Sequence, residues 1–199
     1  MKKGNTKERL IMAALDLFSV KGYEGTSVEE IARAVGIKAP TMYKYLKSKE
    51  ELLQILIDQS EKEYDNGMKQ NLQVAYEINS GSDLKNYAMK LIEFTINNDM
   101  AVKMRRLLTI EQYRNEQFAE SATRHHVKTI QSIFSDIFRK MMDKGLMIQG
   151  DANIYALEFA APVTLMIQMS DRQPEKKIQA LETINRHFDV FIERYCINK

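Results

Sequence analysis

The chain has 199 residues, of which 44% are hydrophobic and 28% charged, and its formal net charge is +2. This length is enough for one or two compact domains with a sizeable core. No apolar run reaches 18 residues, so no membrane span is predicted. The single cysteine, Cys196, excludes an intramolecular disulfide and a multi-cysteine metal site. The N-terminus lacks the apolar stretch of a secretory signal, so we expect a cytoplasmic protein.

Positive charge collects at the start of the chain. Residues 1–50 hold ten Lys or Arg against six Asp or Glu, a net of +4, which leaves −2 for the rest. Such an asymmetry is expected of a surface that contacts nucleic acid. An ordinary solvated surface is the other interpretation of so modest an excess.

Two short helices separated by a glycine turn are predicted after the first helix. Ser27 and Glu30 form a capping box, in which each side chain accepts from the other residue's backbone N–H. Gly36 can adopt the positive φ that ends this helix. The next helix begins near Ala39, and a second capping pattern at Ser48 starts a longer one. This order is typical of a helix-turn-helix, although small helical bundles share it.

The helix predicted from residue 39 to residue 46 has a polar face. Pro40 is tolerated there because a first-turn N–H has no intrahelical partner. Thr41, Lys44 and Tyr45 lie largely on the side opposite Met42. Hydroxyl and phenol groups can donate to phosphate, and a lysine can reach phosphate or a guanine edge. The face therefore suits a DNA groove, and a solvated surface is the alternative.

A further pattern runs through residues 10–56: FSVKGY at 18–23, TSV at 26–28, GI at 36–37, Tyr43, Tyr45 and KSKEEL at 47–52. It resembles the DNA-binding domain of the TetR (tetracycline repressor) family of bacterial transcription regulators. The resemblance covers about a quarter of the chain. Beyond residue 56, only the length and the helical layout are similar.

The resemblance implies a helix-turn-helix domain at 1–48 and a helical effector-binding and dimerisation domain at 49–199. It implies that Ser27 caps the second helix and can touch phosphate, and that Tyr43 and Lys49 bind phosphates. The positions implied to lie on the recognition helix, against bases or backbone, are Lys38, Ala39, Pro40, Thr41, Lys44 and Tyr45. Many family members have serine or threonine where this chain has Lys38, so the usual cap of that helix is absent.

The rest of the chain keeps helical spacing, so we predict an all-α protein. A long helix is expected over 115–144, with Gly145 as its stop. Residues 151–172 and 174–195 form an apolar hairpin. In the family such hairpins pair into a four-helix interface, which implies a homodimer that reads two half-sites of a double-stranded DNA operator. Helices that only cover their own core are the alternative.

The residues beyond position 60 contain nine of the 12 methionines. Methionine and aromatic side chains can line an adaptable apolar pocket, although core packing is their commoner role. The candidates for contacting a small-molecule effector are Met104, Tyr113, His126, Tyr155, Phe159 and Met166.

Motifs of catalytic sites are absent: the chain has no HExxH, GxSxG, Walker loop or GxGxxG. We therefore predict no enzyme activity, no cofactor and no metal. The predicted function is a ligand-responsive repressor that binds a palindromic operator as a homodimer and is released by a small apolar effector. The alternative is a helical DNA-organising or adaptor protein with the same DNA-binding head and no effector.

Overall fold

The computed structural model describes residues 5–74, 77–114 and 116–197, without the side chains of 63–74, 117, 125 and 126. Within these ranges the protein is all-α, as predicted, apart from an isolated bridge between Met147 and Cys196. The helices are α1 (Thr6–Lys21), α2 (Val28–Ala34), α3 (Ala39–Met42), α4 (Lys49–Val74), α5 (Gly81–Asn97), α6 (Asp99–Glu111), α7 (Glu116–Thr123), α8 (Thr129–Asp143), α9 (Ala152–Arg172) and α10 (Lys177–Tyr195). A π-helical turn (Arg124–Lys128) precedes α8, and a 3-10 turn (Pro174–Lys176) precedes α10.

Two compact units make up the chain. The head unit comprises Met1–Asp65 and Lys103–Glu120, and the body unit comprises Asn66–Val102 and Ser121–Lys199. The head unit therefore contains α1 to α3, the start of α4 and most of α6. The domain boundary predicted after residue 48 stays a prediction.

The head unit has its own apolar core. α1 begins where the Asn5 side chain accepts from the Lys7 N–H at 3.3 Å, and it ends at Gly22, whose φ is 76°. Burying a large apolar side chain contributes about 1.5–3 kcal/mol, so this core is the main source of the unit's stability. Its fully buried members include Leu10, Ala14, Leu15, Phe18, Ile31, Ala32, Met42, Leu52 and Leu107.

The body unit is organised around α9. α8 and α10 both pack against it, and α10 forms the second half of the predicted hairpin. The hairpin is antiparallel, since Tyr155 near the start of α9 contacts Tyr195 at the end of α10, with ring centroids 4.6 Å apart. Phe159 lies at the centre of the core, stacked on Phe188 at 4.4 Å.

The long helix predicted over 115–144 is wrong in one respect, because the π-helical turn separates α7 from α8. There the Thr129 N–H bonds to the Arg124 carbonyl, five residues back, and the Thr129 hydroxyl donates to the same oxygen at 3.1 Å. Position 115 lies outside the described residues. The predicted stop is correct, since α8 ends at Asp143 and Gly145 has a φ of 69°.

Among the described residues, no helix combines the length and the apolarity that crossing a bilayer requires. The same residues hold no cluster of three or more His, Cys, Asp or Glu side chains that could bind a metal ion.

Candidate nucleic-acid interface

The start of α2 is fixed by the predicted capping box. The Ser27 hydroxyl accepts from the Glu30 N–H at 3.2 Å, and the Glu30 carboxylate accepts from the Ser27 N–H at 3.0 Å. Lys21 also donates to Glu30, and this bond, with the Ser27 N–H, lowers the pKa of Glu30 to about 2. Gly36 ends the α2 turn with a φ of 78°. Ser27 itself remains exposed.

Helix α3, the segment implied by the resemblance to be the recognition helix, is shorter than predicted. Its regular part ends at Met42, and the chain continues to Tyr45 with tighter bonds, such as Tyr45 N–H to Met42 O at 2.9 Å. Lys38 stands at the N-cap and makes no side-chain capping bond. The regular helix is shorter than predicted because its first turn has no side-chain cap and its end tightens into turns with bonds between residues three apart.

Of the polar face predicted on this segment, Lys44 and Tyr45 are exposed and Thr41 is half-buried, and Tyr43 is exposed as well. Tyr43 is 55% and Tyr45 40% exposed, and Lys44 is also exposed. Met42 points into the head core with no exposed surface. The other predicted positions are exposed at Lys38 and Pro40 and half-buried at Ala39 and Thr41. The two phenols and the lysines are therefore open to solvent, while Met42 anchors the helix in the core.

Lys49 has a different environment. Its ammonium donates to the Tyr23 carbonyl at 2.9 Å and to the Thr26 carbonyl at 3.1 Å, and it lies 4.1 Å from the centre of the Tyr23 ring. Burial raises the pKa of the Tyr23 hydroxyl, with Glu50 contributing. The side chain of Lys49 is therefore directed at the turn between α1 and α2.

Two further residues hold the head together and were missed from the sequence. Arg9 of α1 donates to the Val35 carbonyl at the end of α2 at 2.7 Å. Glu111 of α6 is only 3% exposed and accepts from the Tyr23 N–H at 2.8 Å. The sequence did contain a signal for Glu111, because it continues the apolar stripe of Met104 and Leu107 at helical spacing. A carboxylate on the buried side of a helix needs a hydrogen-bonding partner.

The six effector candidates divide between the two units. In the head unit, Met104 is buried in α6 and Tyr113 is 90% exposed. In the body unit, Phe159 is 1% exposed, and Tyr155 and Met166 pack against the core that contains it. The side chain of His126 lies outside the described residues. Phe159 is therefore a core residue and Tyr113 a surface residue of the single chain.

Sequence comparisons with known proteins match the N-terminal part of the chain that contains the helix-turn-helix. Residues 10–56 match the sequence model of bacterial regulatory proteins of the tetR family. The chain is 47% identical over 47 residues to the HTH-type transcriptional regulator TcmR of Streptomyces glaucescens, a match that covers 24% of this chain and 21% of TcmR. It is 41% identical over 46 residues to the negative regulator IcaR of Staphylococcus epidermidis, covering 23% and 25%. The match thus spans about a quarter or less of either relative.

Solved structures match over nearly the whole chain. A TetR-family protein from Mesorhizobium loti has a TM-score of 0.72 at 21% identity, covering 99% of this chain and 100% of its own. SmeT, the repressor of a Stenotrophomonas maltophilia efflux pump, has a TM-score of 0.68 at 18% identity, covering 97% and 91%. Thermus thermophilus FadR in complex with lauroyl-CoA has a TM-score of 0.57 at 18% identity, covering 94% and 93%. At these identities the likeness concerns the fold.

The fold and the interface define a helix-turn-helix protein with a larger helical body. The capping box at Ser27, the turn at Gly36 and the exposed Tyr43 and Lys44 are the features that place it in this class. The family match places residues 10–56 with the DNA-binding domain of bacterial regulatory proteins of the tetR family, and the whole chain shares the fold of solved TetR-family structures.

Proposed function

We propose that the protein is a transcriptional repressor that binds a palindromic DNA operator as a homodimer and is released by a small apolar effector. The observation that carries the DNA-binding part is the exposed face of Tyr43, Lys44 and Tyr45 above a buried Met42. Ser27 and Lys38 are exposed in the same head and extend the proposed contact surface, with Ala39, Pro40 and Thr41 between them and the tyrosines. TcmR and IcaR, which are regulators, support the assignment.

The DNA contact can be tested with single side-chain changes on α3. Tyr43→Phe removes one hydroxyl per head and is expected to weaken binding to all sequences about tenfold, because each lost hydrogen bond costs about 0.5–1.5 kcal/mol and a dimer loses two. Lys44→Ala is expected to reduce the preference for the operator over a scrambled duplex if Lys44 reads bases. Fluorescence anisotropy on the DNA upstream of the protein's own gene measures both.

Tyr113→Phe is the matched control, because Tyr113 is an exposed phenol of the head unit outside the helix-turn-helix. Its affinity is expected to equal that of the unchanged protein. Equal affinities for Tyr43→Phe, Lys44→Ala and Tyr113→Phe would contradict the proposed contact surface.

The homodimer is proposed to form through α9 and α10. Their outer surfaces expose large apolar side chains, among them Leu157 at 42%, Leu165 at 52% and Val190 at 64%. A groove of about 490 Å³ runs between the two helices beside Pro162 and Phe191. An apolar face with a groove suits a second copy of the same hairpin, since a two-fold interface buries the same patch on both subunits.

The effector is proposed to bind in the body unit. Tyr155 and Met166 are partly buried against the core of the body unit and are the described candidates for contacting the effector. His126 is a further candidate. The lauroyl-CoA complex of Thermus thermophilus FadR, which shares the fold, supports an acyl or similarly apolar ligand. The burial of Phe159 and the exposure of Tyr113 favour the second candidate function, a DNA-organising or adaptor protein without an effector.

A thermal-shift experiment separates the two candidate functions. A ligand that binds only the folded state at 100 times its Kd stabilises it by about 2.7 kcal/mol. We expect lauroyl-CoA, or a smaller compound from an apolar panel, to raise the Tm and to release the protein from DNA. Free CoA, which lacks the acyl chain, is the control. A panel in which no compound changes the Tm or the DNA affinity favours the adaptor.

A further inference from the structure

Glu111 is a buried carboxylate that the proposed DNA contacts do not use. It lies at the C-terminal end of α6, outside the helix-turn-helix, and is only 3% exposed. Removing a carboxylate from water is costly unless a donor or a cation compensates its charge. The Glu111 carboxylate accepts from the Tyr23 N–H at 2.8 Å, and the Arg114 guanidinium lies 3.8 Å from it. The closer of these two partners is a backbone group in the turn that follows α1.

The turn after α1 has the shape that admits this carboxylate. A Cβ atom at Gly22 would lie 2.6 Å from Oε1 of Glu111, which is closer than nonbonded heavy atoms approach. Gly22 also has a φ of 76°, a conformation that favours glycine. Glycine therefore meets two requirements at this position, the end of α1 and the close approach of a side chain from α6.

The face of α6 that carries Glu111 meets α1 at a second place. Lys103, Leu107 and Glu111 are four residues apart and therefore share this face. The Lys103 ammonium lies 2.6 Å from the Asp16 carboxylate of α1, and Leu107 is fully buried. The face is thus joined to α1 by an ion pair, packs into the head core and ends on the turn after α1.

The turn that Glu111 holds leads directly into α2. The Thr26 hydroxyl donates to the Gly22 carbonyl at 2.9 Å, which closes residues 22–26 into a compact turn. Ser27 follows at once, with the capping hydroxyl that is also a proposed phosphate contact. α2 has only seven residues, and so short a helix depends on tertiary contacts rather than on its own hydrogen bonds. The placement of the turn therefore sets the placement of the start of α2.

We propose that Glu111 is a positioning residue for DNA binding. Its carboxylate fixes the turn of residues 22–26 against α6 and thereby places Ser27 and the start of α2 on the surface that meets DNA. Because it is buried, Glu111 acts through Ser27 rather than on the DNA. The inference rests on the proposed DNA-binding function and extends the residues on which that function depends beyond the matched segment, residues 10–56.

Two substitutions separate the hydrogen bond of Glu111 from its packing. Glu111→Gln keeps an acceptor oxygen for the Tyr23 N–H, whereas Glu111→Leu keeps a similar volume and removes the acceptor. Leu107→Ala is the stability control, because it removes buried apolar atoms from the same face of α6 and leaves the carboxylate in place. Glu120→Leu is the matched control, since it makes the same change at an exposed carboxylate of the head unit.

DNA binding is measured by fluorescence anisotropy on the DNA upstream of the gene and on a scrambled duplex, at a temperature where circular dichroism shows each variant folded. Glu111→Leu is expected to bind the upstream DNA about tenfold more weakly, because the Tyr23 N–H loses its acceptor in both heads. Glu111→Gln is expected to recover most of this affinity, and Leu107→Ala and Glu120→Leu to keep the affinity of the unchanged protein.

Two results of the binding experiment would overturn the proposal. One is a folded Glu111→Leu variant that binds as tightly as the unchanged protein. The other is an equal loss of affinity in Leu107→Ala, because general destabilisation of the head would then account for the effect. Glu111→Ala replaces Glu111→Leu if the latter does not fold, since the smaller side chain lets water reach the Tyr23 N–H.

Amide hydrogen exchange of the free protein tests the positioning without DNA. The amides of Ser27 and Glu30 each donate to the other residue's side chain, so their protection reports on the start of α2. In Glu111→Leu both are expected to exchange about tenfold faster, together with the Tyr23 amide. Faster exchange at Tyr23 alone would contradict the proposal, because the effect would be confined to the turn. Failure of the unchanged protein to bind either duplex would refute the proposed function, whereas the exchange experiment would still decide whether Glu111 positions α2.

Discussion

Replacing Val190 by arginine is expected to leave a folded monomer of 23.1 kDa that binds operator DNA on the order of 100-fold more weakly than the unchanged protein. Val190 is 64% exposed in the single chain and borders the groove between α9 and α10. An arginine there costs the monomer little. In the proposed interface it would bury a charge, and the two-fold axis would place the same charge on both subunits.

The loss of DNA affinity follows from the loss of the second head. One head contributes only a few contacts, and two linked heads read half-sites separated by about 34 Å or a multiple of it. Linking two binding modules raises the overall affinity by roughly 10²- to 10⁴-fold without any new contact, so a monomer loses this factor. Sedimentation velocity gives the mass, and anisotropy on the upstream DNA gives the affinity.

Phe94→Arg is the matched control for Val190→Arg. Phe94 is 65% exposed and lies on α5, outside the proposed interface. The same charge is thereby placed on an equally exposed apolar position of the body unit. The proposal requires that Phe94→Arg remain a dimer with unchanged DNA affinity. If both variants are dimers, or if Phe94→Arg alone dissociates, α9 and α10 do not form the interface.

Local chemistry made the helix boundaries of the head predictable. The reciprocal bonds of Ser27 and Glu30 involve residues three apart, so the sequence alone specifies them. Gly22 and Gly36 likewise adopt the positive φ that glycine permits after a helix. The fold class followed from helical spacing along the chain. The short uncapped α3 was only partly foreseen, because Lys38 was recognised as a missing cap but the tight turns after Met42 were not.

The features of the head that were not predicted depend on contacts between residues far apart in the sequence. Lys49 and Tyr23 are 26 residues apart, and whether a lysine turns back to a carbonyl or projects to solvent depends on the folded head. Glu111 and Tyr23 are 88 residues apart. The π-helical turn before Thr129 was also hidden, because Ala122 and Ile130 on its two sides are separated by eight residues, a spacing that a regular helix shows as well.

The effector candidates illustrate the same limit. Methionine and aromatic residues at helical spacing are compatible with a core or with a pocket lining, and spacing does not distinguish them. Phe159 is packed into the core of the body unit, whereas Tyr155 and Met166 stand at its edge. These different environments give the two kinds of position different expected responses to truncation.

Phe159→Ala is expected to destabilise the protein by about 3–5 kcal/mol, the usual cost of truncating a buried phenylalanine. The ring is 1% exposed and lies within 4.4 to 5.5 Å, between centroids, of four others. These neighbours are Phe134, Phe138, Phe188 and Phe191. Such contacts between rings contribute beyond their buried area, and none can be replaced by a methyl group. The Tm is therefore expected to fall by roughly 10 °C or more.

Two further variants make this measurement decisive. Phe94→Ala removes the same atoms from a ring that is 65% exposed, so it is expected to change stability by no more than about 0.5 kcal/mol. Phe159→Leu retains most of the buried volume and should lie between the two alanine variants. If Phe159→Ala unfolded at nearly the same temperature as Phe94→Ala, the ring would border empty space rather than packed neighbours. Phe159 would then be a candidate for lining an effector cavity. A side chain can be truncated at so little cost only where it lacks packed neighbours on one side.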